Sequence, residues 1–214
     1  MIAQLLPAPV VTVETSADRS TVDLFPAELA LIAKSVPKRQ AEFSTARWCA
    51  RQALGFLGVE PAPILPDERG APQWPAGFVG SITHCNRYRA AAVARDTDAL
   101  SLGIDAEPNE PLPEGVLEAV SLPEERAMLR ALGADASVCW DRLLFSAKES
   151  VYKAWYPHAR KMLGFEEARL AISVDGSFTA TLLVPGPIVA GKPLTGFTGR
   201  WLAKNGIVLT AVQH

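Results

Sequence analysis

Two stretches of the chain carry apolar residues at three- and four-residue steps, the period that gives a helix one buried stripe. In the first, Phe43, Ala46, Ala50, Leu54 and Leu57 predict a long helix over 38–57, with Gly58 suited to its C-terminal end. In the second, Leu144, Ala147, Val151 and Ala154 predict a helix over 140–156 that Pro157 stops. Pro26 opens a shorter helix over 26–35. Pro123, followed by Glu124 and Glu125 in a favourable first turn, opens another over 123–132. Short apolar runs bounded by turn residues predict strands at 78–82, 90–94 and 100–106. Four more follow at 168–174, 177–184, 195–202 and 207–212, with turns at Asp175-Gly176 and Asn205-Gly206. Residues 59–77 are rich in proline and glycine and read as an ordered loop or short edge elements, and 108–113 reads as a linker. The apolar N-terminus, 1–13, has no basic leader and is interrupted by Pro7 and Pro9, so it reads as a strand-like segment and not as a signal peptide. Helices and short strands recur in both halves without a fixed-period repeat, which allows two similar α+β lobes.

Composition adds limits. With 214 residues, 49% hydrophobic and 21% charged, the chain can bury a substantial core, and no apolar run approaches the length of a membrane span. Cys49, Cys85 and Cys139 are an odd number at wide spacing, with no CxxC pair, which points to a reducing, cytoplasmic setting. The net charge of -2 hides an asymmetry. Residues 34–95 hold nine Lys/Arg and four Asp/Glu, whereas 96–135 hold two and ten. The first half suits an anionic ligand and the second begins with clustered carboxylates, although two differently solvated surfaces would read the same way.

Four places could carry chemistry. Asp105 and Glu107, two apart on a strand, share a face, and two adjacent carboxylates repel unless a cation lies between them. Hard oxygen donors suit Mg²⁺; a solvated strand end is the plainer alternative. Glu149 and Lys153, one helical turn apart with Ser146 on their face, form either an ordinary surface ion pair or part of a metal-and-phosphate site. Lys38, Arg39, Arg47 and Arg51 place forked donors along one helix, as a phosphate site or as a solvated face. His84 closes the run Gly80-Ser81-Ile82-Thr83-His84, as a phosphate ligand or a structural cap. P-loop, GxGxxG, HExxH and GxSxG patterns are absent, as is a basic stripe for nucleic acid. Met162, Leu163 and Phe165 after the second long helix form either a docking patch or core.

The order of these features carries more than any one of them. Glu42-Phe43 and Arg47-Trp48-Cys49-Ala50-Arg51 come first, then Trp74-Pro75 and Gly80 to His84. Gly103-Ile104-Asp105-Ala106-Glu107 follows, and finally Phe145-Ser146-Ala147-Lys148-Glu149-Ser150-Val151-Tyr152-Lys153-Ala154. Over nearly its whole length the chain resembles the Sfp-type 4'-phosphopantetheinyl transferases. Ala62-Pro63-Ile64-Leu65, Gly103 to Pro108 and Tyr152-Lys153-Ala154-Trp155 make it most similar to their actinobacterial branch. The resemblance implies an α+β fold of two pseudo-twofold-related lobes, each a small, mainly antiparallel sheet packed with helices, over 1–107 and 108–214. It implies transfer of 4'-phosphopantetheine from coenzyme A to a serine of an apo carrier protein of fatty acid, polyketide or peptide synthesis, with release of 3',5'-ADP. It implies Mg²⁺ or Mn²⁺ on Asp105, Glu107 and Glu149, with Asp105, Glu149 and Lys153 catalytic. Coenzyme A would be held by Arg39, Arg47, Arg69, Ser81, Thr83, His84, Lys148 and Lys153. Relatives often carry lysine where Pro66 stands, and Arg69 is near enough in sequence to substitute. Acyl and peptidyl carrier proteins are the implied partners, and a cytoplasmic monomer with no nucleic acid or membrane partner is the expected form.

Overall fold

The structure is a computed structural model that describes residues 1–19, 24–133 and 137–214. Asp135, counted in the acidic stretch, lies outside the described residues. The chain forms two compact units, Met1–Leu100 and Ser101–His214. This division falls before the strand that carries Asp105 and Glu107, not after it as the lobes 1–107 and 108–214 would have it. The reason is pairing: residues 102–108 lie antiparallel to 207–213 near the other end of the chain, so they belong to the second sheet.

Unit 1 contains β1 (Val11–Thr15), α1 (Pro26–Ile32), α2 (Pro37–Phe56), β2 (Phe78–Cys85) and β3 (Tyr88–Arg95), with a turn of 3₁₀-helix at Ile2–Gln4 within the segment 1–13 that reads as strand-like. Its antiparallel sheet has the order β1-β3-β2. The central strand β3 is buried from Tyr88 to Ala94, and its small residues Ala90, Ala91, Ala92 and Ala94 have no bulk to hold a helix away. Cys49, Ala50, Ala53 and Leu54 of α2 pack there with Ile64, Ala91 and Val93. Arg51 is not on a solvated basic face. It donates to the fully buried Glu28 at 2.8 and 2.9 Å, and the same carboxylate accepts from the backbone N–H of Ile64 and of Phe25.

Unit 2 contains β4 (Leu102–Pro108), α3 (Val116–Val120), α4 (Pro123–Leu132), α5 (Trp140–Ala159), β5 (Ala168–Ile172), β6 (Ser177–Leu182), the short β7 (Ile188–Val189) and β8 (Lys192–Pro193), β9 (Gly196–Lys204) and β10 (Ile207–Gln213). Five strands form one antiparallel sheet in the order β4-β10-β9-β6-β5. Leu143, Leu144, Ala147, Val151, Ala154 and Trp155 of α5 enter a core with Phe178, Val208 and Val212. Pro157 does not stop α5: the helix runs to Ala159, and Arg160, at φ 52°, ends it. A proline in the last turn removes one N–H bond without preventing the final residues from coiling. The three cysteines are free, and no described helix is long and apolar enough to cross a membrane.

Leu163 is 8% exposed and packs in the core of unit 2, whereas Met162 is 56% exposed. A Leu163→Glu variant is therefore expected to unfold more easily, by about 3 kcal/mol, because it buries an unpaired carboxylate. Thermal denaturation followed by circular dichroism checks this. An unchanged melting temperature with impaired use of a protein partner would restore the docking reading for this residue.

Candidate active site

In unit 2 the site begins at a glycine. A Cβ on Gly103 would lie 1.9 Å from the carbonyl oxygen of Ser150 and 2.9 Å from the nitrogen of Ala154. Glycine therefore lets β4 approach the backbone of α5 more closely than any side chain would allow. The strand alternation that points position 103 at α5 points Asp105 and Glu107 the same way. On the helix, Arg142, Ser146, Glu149 and Lys153 recur at three- and four-residue steps and make up the facing row.

Asp105 is 5% exposed and fully engaged. Its Oδ2 accepts from Ser146 Oγ at 2.8 Å, and its Oδ1 accepts from Lys153 Nζ at 2.7 Å. Lys153 also donates to the Ile104 carbonyl at 3.0 Å. Thr210, opposite Asp105 in the β4–β10 register, donates to the Ser146 carbonyl at 2.9 Å and fixes that part of the helix. Glu107 accepts from Arg142 at 3.0 Å, and Arg142 also donates to the carbonyls of Glu110 and Pro111, so the 108–113 segment is tied down. Burial raises the pKa of Glu149, with the charges of Asp105 and Glu107 adding to it and Lys153 opposing. Glu107 is raised for the same first reason and by Asp105, against Arg142 and Lys153. Three carboxylates thus share one field with two cations.

Among the described residues no group of three acidic, histidine or cysteine side chains converges closely enough to hold an ion as it stands. The donor chemistry nevertheless fits a hard divalent cation: the candidate ligands are oxygens, and two of the three acids are disfavoured as anions by burial and by a neighbouring carboxylate.

In unit 1, Arg39 of α2 donates to His84 Nε2 at 2.6 Å. Accepting there, the ring carries its proton on Nδ1, which faces Glu42 at 3.9 Å. Glu42 in turn lies 3.5 Å from Arg89, which is paired with Asp18 at 2.9 Å. Arg47 is 6% exposed; its Nε donates to the Ile64 carbonyl at 2.8 Å, and its guanidinium lies over the Phe43 ring at 4.4 Å. Burial lowers its pKa to about 10, so it remains a cation at neutral pH. Arg69 is exposed, in a loop that Asp67 organises by accepting the N–H groups of Arg69 and Ala71.

Three expected ligands of coenzyme A are placed differently. Ser81 and Thr83 are each 3% exposed and, by strand alternation, lie on the face of β2 opposite His84, so their side chains are turned away from the one His84 presents. Lys148 is 4% exposed and serves the interior: its ammonium pairs with the buried Glu125 at 2.8 Å and donates to the carbonyls of Phe165 and Ala168. Glu125 also accepts from Leu170 N–H at 2.7 Å, so this pair joins α4, α5 and β5. The structure adds Arg142 and Thr210. Arg142 was readable from its helical spacing to Ser146 and Glu149; Thr210 depends on strand pairing that the sequence does not display.

Comparison with known proteins now decides the family. Residues 27–94 match the 4'-phosphopantetheinyl transferase N-terminal domain, and residues 101–204 match the 4'-phosphopantetheinyl transferase superfamily. The chain is similar to the 4'-phosphopantetheinyl transferase Svp of Streptomyces mobaraensis, at 60% identity over 99% of this chain and 88% of that one. The chain belongs to the 4'-phosphopantetheinyl transferase superfamily. The transferase Npt of Nocardia iowensis is 49% identical over the full length of both, and PptT of Mycobacterium tuberculosis is 48% identical over 99% of this chain and 97% of its own. The two matched regions of this transferase fall one in each compact unit.

Proposed function

We propose that this transferase moves the 4'-phosphopantetheine arm of coenzyme A onto a serine hydroxyl of apo carrier proteins serving fatty acid, polyketide or peptide synthases, and releases 3',5'-ADP. The observation that carries the reading is the row Ser146, Glu149 and Lys153 of α5 set against Asp105 on β4, with Lys153 bonded to Asp105 at 2.7 Å. The reaction breaks the pyrophosphate bond of coenzyme A and forms a phosphoester to serine. Such transfers depend on positioning and on neutralising developing charge.

In this reading Lys153 uses two of its three donors within unit 2 and aims the third at a phosphate oxygen of the leaving nucleotide. Arg39 and Arg47 bind the 3'-phosphate, with His84 held by Arg39 in the tautomer described above. Asp105, Glu107 and Glu149 would hold Mg²⁺ or Mn²⁺, which when bound supplies charge neutralisation at the pyrophosphate. Glu149 first orients the site as a ligand and secondly accepts the serine proton, through the oxygen that does not face the ion.

A Glu149→Gln variant separates the two roles, since the amide keeps the shape and one oxygen but cannot take a proton. Single-turnover transfer across a Mg²⁺ titration is expected to start low and to recover much of its rate as Mg²⁺ rises. A flat, low response with normal coenzyme A binding would make Glu149 the base before it is a ligand.

A further inference from the structure

One pair of imidazoles in unit 2 lies outside the carboxylate site. His158 occupies the last turn of α5, and His214 follows the end of β10. His158 Nε2 lies 3.2 Å from His214 Nδ1 and 3.0 Å from Ser101 Oγ. Both rings are oriented by the framework. The backbone of His214 pairs with Ser101 in both directions, at 3.0 and 3.2 Å, and Phe197 packs edge-on against its ring at 5.6 Å. The two imidazoles meet at 87° with centroids 5.2 Å apart. His214 lies four residues beyond Thr210, roughly 13 Å along an extended strand, so the cluster is separate from Asp105.

The separation is informative. Two imidazole nitrogens, each about 2.05 Å from one ion, stand 3.2 Å apart when the angle at the ion is about 100°, close to tetrahedral. The rings are partly exposed, which leaves room for water to complete a coordination shell. We infer that His158 and His214 form a two-nitrogen site for a borderline transition-metal ion, Zn²⁺, Ni²⁺ or Cu²⁺, that joins the end of α5 to the end of β10. His158 ligates through Nε2 with its proton on Nδ1, and His214 through Nδ1 with its proton on Nε2; the ring that donates the Nε2–Nδ1 hydrogen bond in the metal-free protein shifts its proton to its far nitrogen on binding. Binding to the two neutral rings therefore releases no proton. Burial lowers the pKa of both, so proton competition is weak at neutral pH. Mg²⁺, which prefers oxygen, does not compete. Because the ion spans helix and strand, it stabilises the unit that holds Lys153 without being needed for transfer.

The test uses the full chain without a polyhistidine tag, in excess Mg²⁺ to occupy carboxylates. Calorimetric titration with Ni²⁺ is expected to show one equivalent bound, with a rise in melting temperature. His158→Gln and His214→Gln should each weaken binding at least about tenfold, whereas Asp105→Ala should bind Ni²⁺ as the parent does. Electron paramagnetic resonance of the parent protein with one equivalent of Cu²⁺ should show two imidazole nitrogens, a readout that does not depend on the variants folding. Equal Ni²⁺ binding by the parent and either histidine variant, or a Cu²⁺ spectrum with fewer than two nitrogens, overturns the proposal.

Discussion

An Asp105→Ala variant is expected to lose transfer by a factor of at least about 10³ while remaining folded. Asp105 is the hub of its site: one oxygen holds Ser146, the other holds Lys153, and its charge acts on both Glu107 and Glu149. Removing it releases the lysine and takes one donor from the candidate ligand set. The cost in stability is small by comparison, about 1–2 kcal/mol, because Lys153 is 28% exposed and can turn to water. Chelation of the parent protein with EDTA should reproduce the loss, and added Mg²⁺ should reverse it. Single-turnover rates measured beside melting temperatures separate the two effects. An active Asp105→Ala variant in EDTA would remove both the hub and the ion from the mechanism.

The second large effect is structural in origin. Gly103→Ala adds one methyl group, but that methyl would sit 1.9 Å from the Ser150 carbonyl, where only backbone is available to move. Helix α5 must lift from β4, which separates Lys153 and Ser146 from Asp105. The expected outcome is a destabilisation of about 3 kcal/mol together with near-complete loss of transfer. Gly55→Ala is the control: beyond its chain neighbours and the helix's own backbone no atom lies within 4 Å of its added Cβ, and in the last turn of α2 alanine favours the helix. Thermal unfolding of the two variants checks this, and an unperturbed Gly103→Ala would mean that the close approach of strand and helix does not hold the site together.

The helices were the legible part of the fold, because a 3.6-residue period is a local property. The core positions of α5 follow from it directly, and the α4 bounds 123–132 follow from Pro123 and the acidic first turn, which are local signals too. Strands at 78–82 and 90–94 were recognised but cut short, since the hairpin turns on Asn86 and Arg87, with Arg87 at φ 60°, and not on a glycine-containing pair. The lobe boundary was misplaced because β4 pairs with β10 across about a hundred residues, which no local pattern displays. In the site, Asp105, Glu107, Glu149 and Lys153 were readable as a set, since two fall on one strand face and two on one helix face. Lys148 was not. Its neighbour Glu149 faces Asp105, while Lys148 itself, one residue earlier, is rotated onto Glu125 and the interior. Ser81 and Thr83 turn their side chains away from the face of His84 for the corresponding reason in a strand, where adjacent residues point to opposite faces.

The most direct measurement is mass spectrometry of an apo carrier protein incubated with the transferase, coenzyme A and Mg²⁺. A gain of one phosphopantetheinyl group on one serine is expected, with 3',5'-ADP formed in equal amount. Unmodified carrier protein beside intact coenzyme A, or free phosphopantetheine released to water with no protein product, would contradict it.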